Sequence, residues 1–319
     1  MKTARQMDSL WKLGGASPLA LLKSVWREIQ KDDVFGRAAQ LSYYFLLALF
    51  PLLIFLTSLI GLVLGSGTDI SPRLLTYLAQ VMPTAASTLI ASTMIEVTKA
   101  SSGSKISFGI LAALWAASNG MGAITDALNV AYSVEETRSW WKRRVTAIAL
   151  TIALSVLIIT ALTIVLSGGR IAGFIAANYA LGSAFVLTWR VLQWPIVLAF
   201  MLLAFALIYY FAPDVRDQKW IWMTPGAVVG VLLWLLASFG LRFYLHFFNS
   251  YSNTYGSLGA VIILMLWLYL TGVAVLIGGE LNAEIEDAAA KAGAADAKEK
   301  GEKRPQEKPQ KARAVRGRA

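Results

Sequence analysis

The sequence predicts an all-α, polytopic membrane protein with six transmembrane helices and with the N- and C-termini in the cytoplasm. Three observations lead to this prediction. The chain is 57% hydrophobic and only 15% charged, whereas soluble domains are about 45–50% apolar and about 25% charged. The apolar residues are concentrated in runs as long as a helix that crosses a bilayer. The positive charges are concentrated on one side of these runs, which orients them.

Five apolar runs each contain roughly the 20 residues that a helix needs to cross the hydrocarbon core. They are Leu41–Leu64, Val145–Leu166, Val191–Phe211, Trp222–Phe248 and Leu258–Ile277. A sixth run, Ile106–Tyr132, begins with the apolar stretch ISFGILAALWAA and ends among polar residues and glycines. We interpret this run as a span with a polar inner end. The predicted six-helix transmembrane domain covers residues 41–287.

The distribution of Lys and Arg orients the six spans. With six spans, 23 of the 29 Lys and Arg residues lie on one side, which the positive-inside rule assigns to the cytoplasm. A seventh span at Ile171–Leu187 would move the basic C-terminal tail to the other side. We therefore predict that Ile171–Leu187 is a hairpin or a helix on the outer surface. Pro83–Lys99 is predicted to be a second short amphipathic helix on the same surface.

The N-terminal segment, residues 1–40, is predicted to lie in the cytoplasm and to contain an amphipathic helix. One face of this helix carries Leu19, Leu22, Trp26 and Ile29. The largely opposite face carries Lys23, Arg27 and Lys31. Such a helix either lies on the anionic inner leaflet or packs on the cytoplasmic face of the bundle. The sequence leaves both alternatives open.

The C-terminal segment, residues 288–319, is predicted to be a disordered basic tail. It is rich in Ala, Lys, Glu, Pro and Gln and contains no aromatic residue, so it cannot bury enough apolar surface to fold. Its net charge of about +6 suits anionic membrane lipids as a partner. Because basic and aromatic residues do not alternate in it, no specific nucleic-acid partner is predicted.

Alternation of the spans sorts the scarce polar side chains into two layers. The predicted inner layer is a candidate substrate path near the cytoplasmic side, formed by Tyr43, Tyr44, Asn119, Asp126, Asn129, Glu280 and Asn282. The predicted outer layer is formed by Arg242, His246 and Tyr255. Ionisable groups at membrane depth are costly and usually face the bundle or a watery cavity. Since the two layers lie near opposite faces, Arg242 and Glu280 are not expected to pair.

Each ionisable residue of these layers also has a purely structural interpretation. Asp126 either lines a substrate path or pairs with the loop at Arg138–Arg144 and fixes the position of its helix. Glu280 either belongs to a polar site or marks the water line, since further acidic residues follow it at helical spacing. The long side chain of Arg242 can reach the outer interface, and His246 is more typical of an interfacial hydrogen-bonding group than of a proton relay.

Glycines and prolines predict where spans approach or bend. Gly226 and Gly230 are four residues apart, the spacing of small residues that lets membrane helices come close. Gly120 and Gly122 either unwind the second span and offer backbone groups to a ligand or merely bend it. Pro51 is expected to kink the first span.

Composition argues against catalysis and against bound cofactors. The chain has no cysteine and a single histidine, which excludes disulfides, thiolate metal sites and the usual multi-histidine metal sites. No nucleotide-binding, serine-hydrolase or zinc-protease motif is present. We therefore predict no catalytic residue, no metal and no cofactor, and the chain is not predicted to be an enzyme.

Four stretches, in chain order, carry a family resemblance: Asp32–Phe55, Ser118–Arg144, Trp222–Tyr244 and Tyr255–Glu284. Together they resemble the YihY/BrkB family of bacterial inner-membrane proteins. Characteristic polar positions of that family match Tyr43, Tyr44, Pro51, Asn129, Arg138, Arg144, Tyr255, Gly256, Glu280 and Asn282. The resemblance implies six transmembrane helices, a location in the plasma membrane, and associations with envelope integrity and with resistance to serum killing. Some members have been labelled ribonuclease BN, a label against which the histidine count argues.

Two functions follow from these features as hypotheses. The first is a transporter-like protein that moves a lipid-like or small envelope-related substrate, because the polar residues form an inner and an outer layer. The second is a scaffold that organises envelope proteins or lipids without transport. A polar lumen that passes the middle of the membrane favours the first, and a tightly packed apolar centre favours the second.

Overall fold

The computed structural model describes residue 11 and residues 13–64, 106–178, 183–215, 223–247, 257–293 and 297–298. A 3-10 turn at Leu13–Gly15 precedes seven α-helices in these ranges. They are α1 (Pro18–Lys31), α2 (Val34–Leu64), α3 (Ile106–Ala131), α4 (Trp140–Asn178), α5 (Ser183–Phe211), α6 (Pro225–Phe247) and α7 (Ser257–Lys291). The predicted helix at Pro83–Lys99, the predicted site residue Tyr255 and the tail from residue 299 lie outside the described residues.

Helices of membrane-spanning length make up most of the described chain. Four contain segments long and apolar enough to cross a membrane, namely Trp140–Val165, Phe185–Phe211, Pro225–Phe247 and Gly259–Lys291. α2 and α3 are 31 and 26 residues long, and about 20 residues cross the hydrocarbon core. The chain is therefore a polytopic helical membrane protein, while the count of six spans and the compartment of the termini stay predictions.

The segment Ile171–Leu187 contains the end of α4 and the start of α5, and its position on the outer surface stays a prediction. α4 continues as one helix to Asn178, and α5 already begins at Ser183. The two helices also approach closely in this region, because a Cβ on Gly168 would lie 2.5 Å from Nε1 of Trp189. The segment is thus divided between the end of one long helix and the start of the next.

The six long helices form a ring of neighbours. Each packs against the next along the chain, and α7 returns to pack against α2. Contacts and hydrogen bonds bring together the start of α2, the end of α3, the start of α4, the end of α5, the start of α6 and the end of α7. We call this the basic end of the bundle, because it carries Arg138, Lys142, Arg143 and Arg144. The prediction places it in the cytoplasm.

The most buried large side chains lie in the half of the bundle next to the basic end. Those at most 2% exposed include Leu41, Leu128, Tyr132, Tyr209, Leu276 and Ile285. In a bilayer, lipid tails are as apolar as leucine, so helix association depends on close packing and on hydrogen bonds between helices. α7 supplies both, since it contacts α2, α3 and α6.

Glycines allow the closest of these helix contacts. A Cβ on Gly226 would lie 2.1 Å from the carbonyl oxygen of Gly278, and one on Gly230 would lie 2.8 Å from Cε1 of Phe205. The predicted close approach at this glycine pair is therefore confirmed. The two glycines, however, meet different helices, because Gly226 faces α7 and Gly230 faces α5.

The glycines of α3 and the proline of α2 do not interrupt their helices. α3 is continuous through Gly120 and Gly122, so the alternative in which they unwind the span is not observed. A Cβ on Gly120 would lie 3.1 Å from Cβ of Ala48 on α2, whereas one on Gly122 would meet nothing within 4 Å. α2 likewise continues through Pro51.

α1 packs against the C-terminal part of α7. Its residues Leu21, Val25 and Ile29 are buried, and the Ser24 hydroxyl donates to the Glu284 carboxylate. The preceding turn fits against α7 because Gly14 has a left-handed φ of 62° and a Cβ there would lie 2.6 Å from the Ala289 nitrogen. Packing on the bundle is therefore confirmed for one face of α1.

A second face of α1 remains exposed. Leu19, Leu22 and Trp26 are 72%, 66% and 58% exposed. Contact of this face with the inner leaflet stays a prediction.

The acidic residues at the end of α7 are buried within the protein, and both interpretations of Glu280 stay predictions. Glu280 is 0% exposed, Glu284 5% and Asp287 7%. α1 and its preceding turn cover the part of α7 around Glu284, since Ser24 donates to Glu284 and Gly14 lies against Ile285 and Ala289. The helix also extends beyond the predicted boundary at residue 287, as far as Lys291, whose ammonium lies 2.6 Å from the Asp287 carboxylate.

Candidate functional site

A cleft of about 460 Å³ lies between α2, α3 and α4 near the basic end. We call it the α3–α4 cleft. Its apolar wall is formed by Leu47, Ala48, Ala116, Ala123 and Ala147. Its polar lining is formed by Tyr44, Asn119, Asp126, Arg143 and Arg144. The spacing of three and four residues within each helix puts these side chains on one face, because an α-helix repeats every 3.6 residues.

An ion pair joins α3 and α4 in the cleft. Nη2 of Arg143 lies 2.6 Å from Oδ2 of Asp126, and the two side chains are 34% and 55% exposed. A pair with this exposure contributes at most about 1 kcal/mol where water screens it. Pairing of Asp126 with the Arg138–Arg144 loop region, one of its two interpretations, is therefore observed. The same carboxylate also lines the cleft, so the two interpretations do not exclude each other.

Arg144 is held by neutral groups only, among the residues that the structure describes. Its Nη1 donates to Oδ1 of Asn119 at 2.7 Å, and its Nη2 donates to the carbonyl oxygen of Trp115. The guanidinium carbon lies 3.8 Å above the Trp115 ring, in the geometry of a cation–π contact. Its Nε is buried without a hydrogen-bond partner. The guanidinium is thus fixed in place while its charge is not neutralised by a contacting carboxylate.

Three tryptophans surround the entrance of the cleft. Trp140 lies 6.0 Å from Trp115 and 4.6 Å from Trp141, measured between ring centroids. All three rings are between 44% and 66% exposed. Tryptophan next to Lys and Arg at the end of a span is typical of the membrane–water interface. The composition around the cleft is thus typical of the level of lipid headgroups.

A second polar group ties the loop after α3 to the end of α5. Arg138 donates to the carbonyl oxygens of Phe211 and Ala212 at 3.2 and 2.8 Å, and its Nε lies 2.7 Å from Oε1 of Glu136. A cation at this position satisfies carbonyl groups that a helix end leaves unpaired. Asn129 joins the group, because its Nδ2 donates to Glu136 at 2.9 Å.

The charge of Glu136 is stabilised by this arrangement. Burial by itself would raise the pKa of Glu136. The hydrogen bonds from Arg138 and Asn129, together with the charge of Arg138, outweigh burial and hold the pKa below its ordinary value. Arg138 in turn keeps its charge more firmly, because the attraction of Glu136 outweighs the burial that would lower its pKa. Asp214 belongs to the same group, because its Oδ1 lies 3.7 Å from Nε of Arg138 and its backbone nitrogen donates to Oδ1 of Asn129 at 2.8 Å. We call Asn129, Glu136, Arg138 and Asp214 the clamp.

A third polar group lies inside the bundle between α6 and α7. Asn282 accepts a hydrogen bond from the Gly226 nitrogen at 2.9 Å and donates to the Thr224 hydroxyl at 3.0 Å. Tyr132 also contacts Asn282, and Glu280 lies near it. Tyr209 donates to the carbonyl oxygen of Val275 at 2.8 Å. The side chains of this group form hydrogen bonds with buried backbone groups and connect neighbouring helices.

The predicted inner layer is thus divided among separate places. Tyr44, Asn119 and Asp126 meet in the α3–α4 cleft. Asn129 belongs to the clamp, and Glu280 and Asn282 lie in the buried group between α6 and α7. Tyr43 is 53% exposed and lies 5.7 Å from the ring of Tyr44. The predicted seven residues do not converge on one ligand.

The described residues of the predicted outer layer, Arg242 and His246, are both exposed on α6. They are one helical turn apart, and the His246 ring lies 5.4 Å from the ring of Phe247. Since α6 and α7 run in opposite directions and Gly226 contacts Gly278, Arg242 lies toward the end of the bundle away from Glu280. The two residues do not pair, as predicted.

Four residues central to the cleft are absent from the predicted inner layer, namely Trp115, Trp140, Arg143 and Arg144. The stretch SWWKRR at residues 139–144 contains the signal that could have found three of them, because adjacent Trp and Arg indicate an interface. Trp115 carried no such signal, since tryptophan in an apolar run usually packs against lipid or protein.

The fold and the cleft define the class of this protein. It is a polytopic helical membrane protein with an amphipathic cleft at one end of its bundle. A family model described as "Virulence factor BrkB" matches residues 25–304. The chain therefore belongs to the BrkB family, and the resemblance found in the sequence is confirmed.

Two relatives support this assignment. The chain is 37% identical over 266 residues to the ribonuclease-like protein YfkH of Bacillus subtilis (strain 168), an alignment that covers 83% of this chain and 94% of the relative. It is 35% identical over 112 residues to a UPF0761 membrane protein of Idiomarina loihiensis, covering 35% of this chain and 37% of the relative. No solved structure matches the chain. These relatives are consistent with a multi-pass bacterial membrane protein.

Proposed function

We propose that this BrkB-family protein is transporter-like and handles a lipid-like or small envelope-related substrate, in support of envelope integrity. The observation that carries the proposal is the α3–α4 cleft. It joins an apolar wall to a charged end at the depth where long apolar helices begin. An amphiphile needs both surfaces together, because its tail partitions into apolar surroundings while its headgroup stays hydrated or paired.

The position of the cleft also supports uptake from the membrane. Gly122 leaves open space on α3, and Trp140 and Trp141 stand exposed beside it. A molecule in the inner leaflet would reach such an opening without leaving the interface. Inner-membrane position and cytoplasmic side are parts of the proposal, since they rest on the distribution of Lys and Arg.

One observation favours the alternative, a scaffold that does not transport. α6 and α7 pack at backbone distance at Gly226 and Gly278, and Tyr209 of α5 closes the same region with 2% exposure. This half of the bundle has the tightly packed centre that a scaffold predicts. In the transporter proposal, a substrate would therefore pass along α3 and α4 rather than through this contact.

Membrane lipids are proposed partners of α1 as well. Its exposed residues Leu19, Leu22 and Trp26 lie beside Lys23 and Arg27, a combination suited to an anionic leaflet. Because the chain has no cysteine, a spin label at Leu22→Cys can measure depth directly. We expect Leu22→Cys to lie at acyl-chain depth in anionic nanodiscs, and an exposure to bulk water there would refute this contact.

Lipid movement tests the main proposal. The full chain is reconstituted into vesicles with a phospholipid that carries a fluorescent headgroup, and the fraction quenched from outside is followed over time. We expect wild type to move the lipid and Ala123→Trp, which fills the cleft, to reduce movement to near background. Leu232→Trp is the matched control, because Leu232 is 52% exposed on α6.

The outcome separates the two functions. Background movement in wild type, together with no lipid bound above background in wild type and Asp126→Ala, would contradict the transporter proposal. An envelope defect in cells that follows changes on α1 but not Ala123→Trp would then favour the scaffold.

A further inference from the structure

The α3–α4 cleft contains more positive than negative charge. Its lining includes the guanidinium groups of Arg143 and Arg144 and the single carboxylate of Asp126. The ion pair neutralises Arg143 and Asp126 against each other, which leaves the charge of Arg144. A ligand with one negative charge would neutralise the net positive charge of the lining side chains.

Arg144 is prepared to bind an anion. Stacking on Trp115 and the bonds to Asn119 hold its guanidinium in one orientation, and Nε is buried without a hydrogen-bond partner. An anion beside the Nη groups would gain a charge-assisted contact with a cation that no contacting carboxylate in the described residues neutralises. Guanidinium suits phosphate in particular, because its fixed donors match the tetrahedral oxygens.

The apolar wall distinguishes a lipid from a free anion. Leu47, Ala48 and Ala123 border the charged end, and nothing fills the space beside Gly122. A volume of about 460 Å³ suits a headgroup and the first part of an acyl chain rather than a whole lipid. The rest of the chain would stay in the bilayer, beside the exposed tryptophans.

We infer that the α3–α4 cleft binds the phosphodiester of a membrane lipid at Arg144, and that Asp126 limits its affinity by keeping Arg143 neutralised. The inference rests on the proposed function and names the chemical class of its substrate. Arg144 contacts the phosphate, whereas Trp115 is a positioning residue that holds the guanidinium.

Lipid binding to the purified full chain tests this inference. Native mass spectrometry and lipid-dependent protection from thermal unfolding are measured with three probes: phosphatidylglycerol, diacylglycerol, which lacks the phosphate, and inorganic phosphate. We expect phosphatidylglycerol to bind, and we expect diacylglycerol and inorganic phosphate to bind at least about tenfold more weakly. A difference of about tenfold in affinity is the size expected for one charge-assisted hydrogen bond.

Substitutions assign the contacts. Arg144→Gln should weaken phosphatidylglycerol about tenfold or more, with Arg144→Lys between it and wild type. Arg190→Gln, at an exposed arginine on α5, is the matched control and should bind as wild type does. Asp126→Asn should bind about two- to fivefold more tightly, because it frees Arg143 from a partly exposed pair. A variant that merely damages the fold would not gain affinity.

Each contrary result has a distinct meaning. Equal binding of phosphatidylglycerol and diacylglycerol would overturn the phosphate contact and leave the proposed lipid handling intact. Inorganic phosphate that binds as tightly as the lipid would overturn the lipid class. Unchanged binding in a folded Arg144→Gln, or weaker binding in Asp126→Asn, would overturn the roles of these residues. No binding of any lipid would refute the proposed function as well.

Discussion

Asn282, near the end of α7, accepts a hydrogen bond from the backbone nitrogen of Gly226 at the start of α6, with 2.9 Å between the atoms. The first nitrogens of a helix have no partner within it. Thr224 satisfies another of them, because its hydroxyl accepts from the Ala227 nitrogen at 3.1 Å, and Asn282 donates to the same hydroxyl. One side chain thus completes the N-terminal cap of a neighbouring helix inside the protein.

Asn282→Ala should therefore destabilise the fold. It leaves the Gly226 nitrogen buried without a partner, and we expect the free energy of unfolding to fall by about 1–3 kcal/mol. Unfolding by a denaturing detergent in mixed micelles, followed by circular dichroism, measures the change. Thr160→Ala is the control, because its hydroxyl donates to the Val156 carbonyl oxygen within its own helix. Equal stability of the two variants would show that the cap is not important for stability.

Gly226→Ala should be more damaging than an ordinary change from glycine to alanine. The new Cβ would lie 2.1 Å from the Gly278 carbonyl oxygen, so α6 and α7 would have to separate, at a cost of about 1–3 kcal/mol or more. Gly240→Ala on the same helix is the matched control, because its Cβ would meet nothing within 4 Å.

In the control, removal of a helical glycine should leave stability unchanged or raise it by up to about 1 kcal/mol. The same detergent-unfolding measurement compares the two variants. If Gly226→Ala behaves like Gly240→Ala, the close contact between α6 and α7 does not exist in the protein.

The clamp should make stability sensitive to acid. Because the pKa of Glu136 is lowered in the folded protein, its contribution is present above the ordinary value of 4.5 and is lost as the pH falls through the lower, folded value. Melting temperatures measured from pH 7 to pH 3 should therefore fall less for Glu136→Gln than for wild type.

Glu135→Gln is the matched control for this experiment, since Glu135 is the exposed neighbour. It should retain the acid sensitivity of wild type. A parallel loss of stability in wild type and Glu136→Gln would show that the charge of Glu136 does not stabilise the junction between α3, α4 and α5.

The orientation of the bundle can be tested on the same cysteine-free chain. Trp141 at the basic end and Phe247 at the end of α6 are 66% and 65% exposed. We expect a membrane-impermeant maleimide to label Phe247→Cys on intact cells. Trp141→Cys should be labelled only after permeabilisation, because positive charge stays on the cytoplasmic side. Labelling of Trp141→Cys alone from outside would invert the predicted topology.

Much of the fold could be predicted because the bilayer imposes simple rules on a sequence. A chain must satisfy its backbone within each span, so an apolar run of sufficient length becomes a helix. Each predicted span overlaps one of the six long helices in the described part of the chain, and four of the six spans lie entirely within their helix. The extension of α4 and α5 into Ile171–Leu187 was not predicted, because helices extend beyond the apolar core and charge counting does not show where a helix ends.

The site was predictable only in part. Asp126 and Asn119 were found because polar groups in a span are rare, and both line the cleft. Two interpretations of Glu280 stayed open because helical spacing of acidic residues is equally typical of an exposed surface and of one that another helix covers. Whether α1 covers α7 depends on contacts between residues about 260 positions apart, such as Ser24 and Glu284.

The sequence by itself determined that this is a helical membrane protein with its charge mostly on one side, because hydropathy and charge act on each segment separately. Only the tertiary structure decided which polar groups share a site. Asp126 faces Arg143, Asn119 faces Arg144, and Asn282 faces Gly226, since these contacts depend on the rotation and depth of each helix against its neighbours. Those are set by close packing between helices, such as that of Gly226 against Gly278, and not by the composition of any one span.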